Sequence, residues 1–188
     1  MKKTLLIIGV IVMMAGFSTT VIAQTKSNEI NNDASAILII PLKLVKVNPL
    51  NFGTVNLGVG VLGSVTLSAL GGAPSFTGGV TTSSFKSTPS VATYTVAGTF
   101  NQTYALTIDP EITLTAATGA LTGVKTMIVN ALTVSYVNSP ALRAAGGSVS
   151  TLSPEGVDGF SIGGTLNLVD GQAGGAYTGI FKASVDYN

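Results

Sequence analysis

Ala92-Thr-Tyr-Thr-Val-Ala-Gly-Thr-Phe100 decides the fold class: Ala92, Tyr94, Val96, Gly98 and Phe100 fall on one side of an extended chain, Thr93, Thr95, Ala97 and Thr99 on the other. A period of two marks a strand with one buried face. After Asn101-Gln102 the pattern resumes with Tyr104, Leu106 and Ile108, so the two segments read as the arms of a hairpin. The alternation returns in Leu132, Val134 and Tyr136, and again in Phe160, Ile162, Gly164, Leu166 and Leu168. The last such run sets Tyr177, Gly179, Phe181, Ala183, Val185 and Tyr187 against Thr178, Ile180, Lys182, Ser184 and Asp186. Upstream, Ala34 to Val47 is rich in β-branched residues and interrupted by Pro41, which cannot donate to a ladder and so marks an edge strand or a bulge. Ser64 to Leu70 reads as a further strand, and Gly71-Gly72, Gly78-Gly79, Ala144 to Gly147 and Gly171 to Gly175 as loops. Strands that each give one face to a core, separated by turns, specify an all-β protein: a single immunoglobulin-like or pilin-like β-sandwich over residues 34–188.

Composition agrees. Only 9% of the 188 residues are charged, and the Glu, Lys, Arg and Leu stretches that a water-exposed helix uses are missing. Thr and Val at high density suit pleated, half-buried strands.

The N-terminus has a different character. Lys2 and Lys3 precede an apolar run from Leu5 to Phe17, followed by Val21-Ile22-Ala23. This is the layout of an export signal cleaved after Ala23; the run is shorter than the roughly 20 residues that span a bilayer. Residues 24–33 are polar, with Asn28, Asn31 and Asn32, and read as a mobile leader. Of the nine Lys and Arg, two lie in the signal, which leaves seven against eight Asp and Glu. No basic footprint for nucleic acid remains, and no later segment is apolar for long enough to cross a membrane. With no cysteine, stability outside the cytoplasm rests on burial and backbone pairing.

The absence of histidine and cysteine removes the commonest general base, metal ligand and thiol nucleophile at once. Ser83-Ser84-Phe85-Lys86 matches S-x-x-K, but its surroundings favour a loop, and the lysine acts on the serine only across a helical turn. Gly58-Val-Gly-Val-Leu-Gly63 matches G-x-G-x-x-G, yet a strand-like Ser64-Val-Thr-Leu-Ser68 follows in place of a helix, and no Asp or Glu lies between the motif and Asp109. Asp109, Glu111, Glu155, Asp158 and Asp170 read as solvated turn carboxylates. No enzyme, cofactor or metal site is therefore expected.

Two resemblances add to this reading. The C-terminal run places Tyr187 next to last and Gly175 fourteenth from the end, with apolar alternation through Tyr177, Phe181 and Val185. It resembles the C-terminal strand of chaperone–usher pilins, which pairs with a periplasmic chaperone and then beside a neighbour's donated N-terminal strand. That resemblance implies Ala34, Ala36, Leu38 and Ile40 as a donor strand and Gly175 to Tyr187 as the flank of an acceptor groove. Nearly the whole chain after the signal also resembles a family of secreted bacterial proteins known as a domain of unknown function, through Leu50-Asn-Phe-Gly53, Phe160-Ser-Ile-Gly-Gly-Thr-Leu166, Tyr177-Thr-Gly-Ile-Phe181 and Val185-Asp-Tyr-Asn188. In layout it is similar to spore-coat-protein-U and fimbrial subunits, without the cysteines many of them carry. The expectation is an exported structural or adhesive surface protein, a fimbrial-type subunit whose partners are itself or a periplasmic chaperone; the alternative is a monomeric secreted module whose Gly-rich loops hold a ligand.

Overall fold

The alternating runs lie in strands with most of the apolar phase inward; Phe100, beyond the end of its strand, is 61% exposed. The computed structural model describes residues 33–83, 87–119 and 122–188. The signal segment, the leader up to residue 32 and Ser84, Phe85 and Lys86 of the S-x-x-K spacing lie outside the described residues. In chain order the strands are β1 (Lys43–Asn48), β2 (Val55–Leu57), β3 (Gly63–Leu67), β4 (Ser75–Gly78), β5 (Val80–Thr82), β6 (Ala92–Ala97) and β7 (Thr103–Ile108), then β8 (Ile112–Ala116), β9 (Thr126–Tyr136), β10 (Arg143–Ala144), β11 (Ser148–Thr151), β12 (Val157–Leu168), β13 (Tyr177–Thr178) and β14 (Ala183–Tyr187). They form a compact unit over Leu38–Asn188, with no helix among the described residues.

The larger layer follows the order β1-β6-β12-β9-β8-β13, with β10 added to β9 and the β3-β4 pair added to β12. Two separate ribbons, β11-β7-β14 and β2-β5, complete the fold, the first of them forming the layer that packs across the core from β9. Every ladder between these strands is antiparallel. The core lies between the layers, where Tyr104 of β7 meets Tyr136 of β9 edge-on at 5.9 Å, Tyr136 meets Phe160 of β12 at 6.0 Å, and Tyr94 of β6 stacks on Phe160 at 4.9 Å. Offset and edge-on rings of this kind contribute beyond the area they bury.

Strand β12 is the spine. One edge pairs with β9; the other pairs with β6 over Val157–Ile162 and with β3 over Gly164–Leu168. Gly163 sits at the changeover, where a Cβ would lie 2.1 Å from the Leu67 carbonyl oxygen. Because the obstacle is backbone, Gly163→Ala is expected to lower stability by about 3 kcal/mol. Urea unfolding would show it as an earlier midpoint at unchanged slope, and a midpoint equal to wild type would refute it.

Strand β9 solves a phase problem. Met127 and Val129 are buried at odd positions, Leu132, Val134 and Tyr136 at even ones. A regular strand would put one set in water. Pairing with β12 jumps from Gly163↔Thr133 to Thr165↔Asn130, and Ala131 takes a left-handed φ of 46°. The extra residue is a bulge that turns both apolar sets inward.

Two expectations need correction. The Asn101-Gln102 break is no hairpin: β6 and β7 belong to different layers. Asn101 has a φ of 56°, and the crossing is held to 152–156 by Gly98 N–H donating to Gly156 O (2.9 Å) and Leu152 N–H to Gln102 O (2.9 Å). A turn within one sheet and an arch between sheets share the same polar break in sequence. The run Gly175 to Tyr187 is likewise two strands: β13 pairs with β8 in the larger layer and β14 with β7 in the smaller. Lys182 N–H donates to the Asp109 carboxylate (2.7 Å) where both ribbons cross between layers. The edge strand expected around Pro41 is β1: pairing begins at Lys43, and Ala34 to Ile40 join no ladder.

Candidate functional site

The Leu50-Asn-Phe-Gly53 segment turns the chain out of the larger layer. Asn51 and Ser90 exchange backbone hydrogen bonds of 2.8 Å each way, and the Asn51 side chain accepts from Gly53 N–H (2.9 Å). Gly53 has a φ of 76°, open to glycine at little cost. Phe52 is thereby driven into the core, and residues 54–57 run on into β2.

Facing this segment is the Gly-rich loop before β13. Gln172 Nε2 donates to Val124 O (2.8 Å) and Thr126 O (3.0 Å), and the Tyr177 hydroxyl lies 2.6 Å from Ala173 O and 3.0 Å from Val124 O. These bonds pin the loop to the start of β9. Gln172 Oε1 is buried in the same wall with no hydrogen-bond partner.

Between the two walls lies a cavity of about 680 Å³ whose floor is Ile112, Leu114, Met127, Val129, Leu166 and Leu168. Its walls are continuous: Leu50 through Leu57 on one side and Gln172 through Gly179 on the other all border it. A strand that offers a face presents alternate residues. Leu50, Phe52, Val55 and Leu57 on one side and Tyr177 and Phe181 on the other turn their apolar side chains towards the core, and the residues between them bring backbone to the same space. Among the described residues strand β2 pairs with β5 alone and keeps one free edge. No charged side chain among the described residues borders the cavity. Such a site offers main-chain hydrogen bonds over an apolar floor, the requirements of an added strand.

The structure brings Gly175, Tyr177 and Phe181 together at this cavity, while Val185 and Tyr187 lie in β14 and do not border it. The wall Leu50–Leu57 was hidden in the sequence, where its only signal was a short apolar pair ended by glycine. The four expected donor positions separate. Ala34, Ala36 and Leu38 are exposed and outside any ladder. Ile40 is tied down: its N–H donates to Thr99 Oγ1 (2.7 Å), its carbonyl accepts from the Tyr187 hydroxyl, and that hydroxyl accepts from Thr99 N–H (2.7 Å).

Asp158 also departs from expectation. Its side chain is buried rather than solvated. Oδ2 accepts from the hydroxyls of Tyr104 (2.9 Å) and Ser150 (2.7 Å), and Oδ1 from the backbone N–H of Asn138 (3.0 Å) and Gly159 (2.7 Å). The network joins β7, β11 and β12 to the segment after β9, a structural role. Among the described residues no three Asp or Glu gather as metal ligands.

Burial, and next the bond to Asp158, push the Tyr104 hydroxyl well above the usual tyrosine range; burial also raises Tyr94 and Tyr136. Between pH 10 and its folded-state value, Tyr104 keeps a proton that the unfolded chain has lost. Its contribution is therefore full below pH 10 and falls as pH rises. The expected loss is about 1.4 kcal/mol per pH unit above 10. Urea titrations at pH 8 and 11 should differ by that much more in wild type than in Tyr104→Phe, and equal differences would refute the assignment.

A search among curated proteins and one among solved structures find no match. A family model described as "Domain of unknown function (DUF4402)" matches residues 42–187, from Leu42 beside β1 through the end of β14. The chain belongs to the DUF4402 family.

Proposed function

We propose that this protein is an exported, non-enzymatic structural subunit that self-associates by strand addition, residues 34–38 of one copy entering the cavity of the next. The carrying observation is the unpaired edge of β2 beside a cavity with an apolar floor. The proposed occupant is an apolar segment without a place in its own fold: Ile37 is 89% exposed and Leu38 84%. Isolated exposed apolar residues are ordinary, but a contiguous run of them marks a contact surface.

Reach assigns the segment to a second copy. Ile40 is held next to Thr99, level with the Ala97↔Val157 pair at one end of β12, whereas Leu166 and Leu168 in the cavity floor lie at the other end. Nine to eleven residues of strand separate these levels, roughly 30–36 Å. Residues 34–39 extend at most about 20 Å from the Ile40 anchor. A copy cannot fill its own cavity with this segment, and head-to-tail filling that does not close yields a fibre. Before assembly the open cavity needs a temporary cover, the part that the pilin resemblance gives to a periplasmic chaperone.

The test is size-exclusion chromatography with light scattering on the chain beginning at Gln24, against one beginning at Ile39 that keeps the Thr99 and Tyr187 contacts. The expected result is SDS-resistant multimers from the longer chain and monomers from the shorter. Stable monomers from both would overturn strand donation. The 680 Å³ cavity, within the size range of small-molecule pockets, would then belong to a monomeric module holding a free apolar ligand.

A further inference from the structure

The two ends of the sandwich carry separate apolar patches. At the cavity end, the turn between β2 and β3 exposes Val59 (102%) and Leu62 (70%). Gly60 N–H donates to Asp170 Oδ1 (3.0 Å), which holds this turn beside Val169, itself 45% exposed. Val61 lies over the bare backbone of Gly79, where a Cβ would come within 2.0 Å of its side chain. The turn is therefore braced against two neighbours while its apolar side chains face outward.

At the opposite end, the arch after β6 exposes Phe100 (61%), and Val137 (67%) and Val157 (49%) lie nearby. Gly98 N–H donates to Gly156 O (2.9 Å), which brings the arch beside Val157. Val137 sits over Gly159, where a Cβ would meet its side chain at 3.1 Å. Val157 and Gly159 share the outward face of β12, while Asp158 and Phe160 point inward. Ile40, anchored on Thr99, leaves the body at this same end.

We infer that these patches are the two halves of one end-to-end contact, Val59 and Leu62 of one copy resting on Phe100, Val137 and Val157 of the next. The inference rests on the head-to-tail reading above. A segment that leaves beside Phe100 and enters a cavity beside Leu62 brings these two ends together at every junction. The occupant of each patch is thus a second copy, by continuity with the donated segment. The contact adds apolar burial to main-chain pairing, and it sets the angle between successive subunits, which strand insertion through an extended linker leaves free.

The experiment uses the chain beginning at Gln24 and compares Leu62→Asp, Phe100→Asp, Leu62→Asp combined with Phe100→Lys, and Leu38→Asp in the donor segment. Sedimentation velocity reads multimer length, and urea midpoints confirm that each variant folds. Leu62 and Phe100 are surface residues, so midpoints should stay at wild type. The expected result is at least a tenfold fall in mean multimer length for each single aspartate, with recovery in the opposite-charge pair. That recovery is specific to a direct junction between the two ends. Leu62→Asp and Phe100→Asp assembling like wild type while Leu38→Asp stays monomeric would overturn the end contact and leave strand donation standing. Loss of assembly in both surface variants, with Leu38→Asp assembling normally, would support the end contact and remove strand donation. Wild-type assembly by every variant would overturn both.

Discussion

Asp158→Ala is expected to cost the fold about 4 kcal/mol, a large part of the total stability of an ordinary domain. The wild-type carboxylate satisfies the hydroxyls of Tyr104 and Ser150 and the backbone N–H groups of Asn138 and Gly159. Alanine leaves all of them facing a void at a site only 6% exposed. A buried donor without a partner costs about 1–3 kcal/mol, and water entering the vacated space recovers part of the sum. Asp158→Asn keeps the shape but turns an amide NH₂ towards donors, so about 2–3 kcal/mol of the loss should remain. Tyr104→Phe removes a single donor and leaves the carboxylate with its other bonds, and should cost about 1 kcal/mol. Urea unfolding of the variants checks the order Ala, Asn, then Tyr104→Phe. A wild-type midpoint for Asp158→Ala would mean that the cluster contributes nothing to the fold.

Asp158 shows what the sequence withheld. Its neighbours Val157, Gly159 and Phe160 fit the alternation of β12, in which even positions point inward. Position 158 is on the inward phase, but a carboxylate next to glycine also fits a solvated turn. Only the arrival of Tyr104, Ser150 and Asn138 from other elements makes burial affordable. The alternating runs themselves were legible because they depend on local geometry alone: a residue two places on returns to the same face whatever pairs with it. Which strand pairs with which was not. The break at Asn101-Gln102 serves an arch as well as a hairpin, and the even alternation from Tyr177 to Tyr187 conceals a change of layer at 179–182. The glycine at 179 marks it only in hindsight: a Cβ there would lie 2.5 Å from Thr113 O, where the ribbon bends over β8. The candidate site was half legible. Gly175, Tyr177 and Phe181 carried a pattern, whereas in the facing wall the apolar phase changes between Phe52 and Val55, with Gly53 at a φ of 76° between them, so no single period runs from Leu50 to Leu57.

The free edge of β2 makes the acceptor site testable in trans. Adding a peptide of residues 33–41, flanked by lysines for solubility, to the chain beginning at Ile39 is expected to stabilise it by about 4 kcal/mol at a thousandfold excess over the dissociation constant. For a unit of this size the melting temperature should rise by roughly 12 °C. The gain has two sources in the structure: the free edge of β2 acquires a hydrogen-bonding partner, and an apolar side chain packs into the cavity against half-buried Leu114 and the buried Met127, Val129, Leu166 and Leu168. The two sources are separable. A peptide with Leu38→Asp keeps every main-chain donor and acceptor but puts a charge where an apolar side chain should enter, and it should give no shift. A peptide with Ile39→Asp changes the opposite phase of the strand, which faces away from the floor, and should retain most of the shift. The same unaltered peptide, added to the chain beginning at Gln24, should end growth and leave short, capped species. Equal shifts from the unaltered and Leu38→Asp peptides would mean that the floor takes no side chain, and strand addition at this cavity would be wrong. A shift abolished by Leu38→Asp and kept by Ile39→Asp would establish both the occupant and its phase, since only a strand distinguishes adjacent residues in this way.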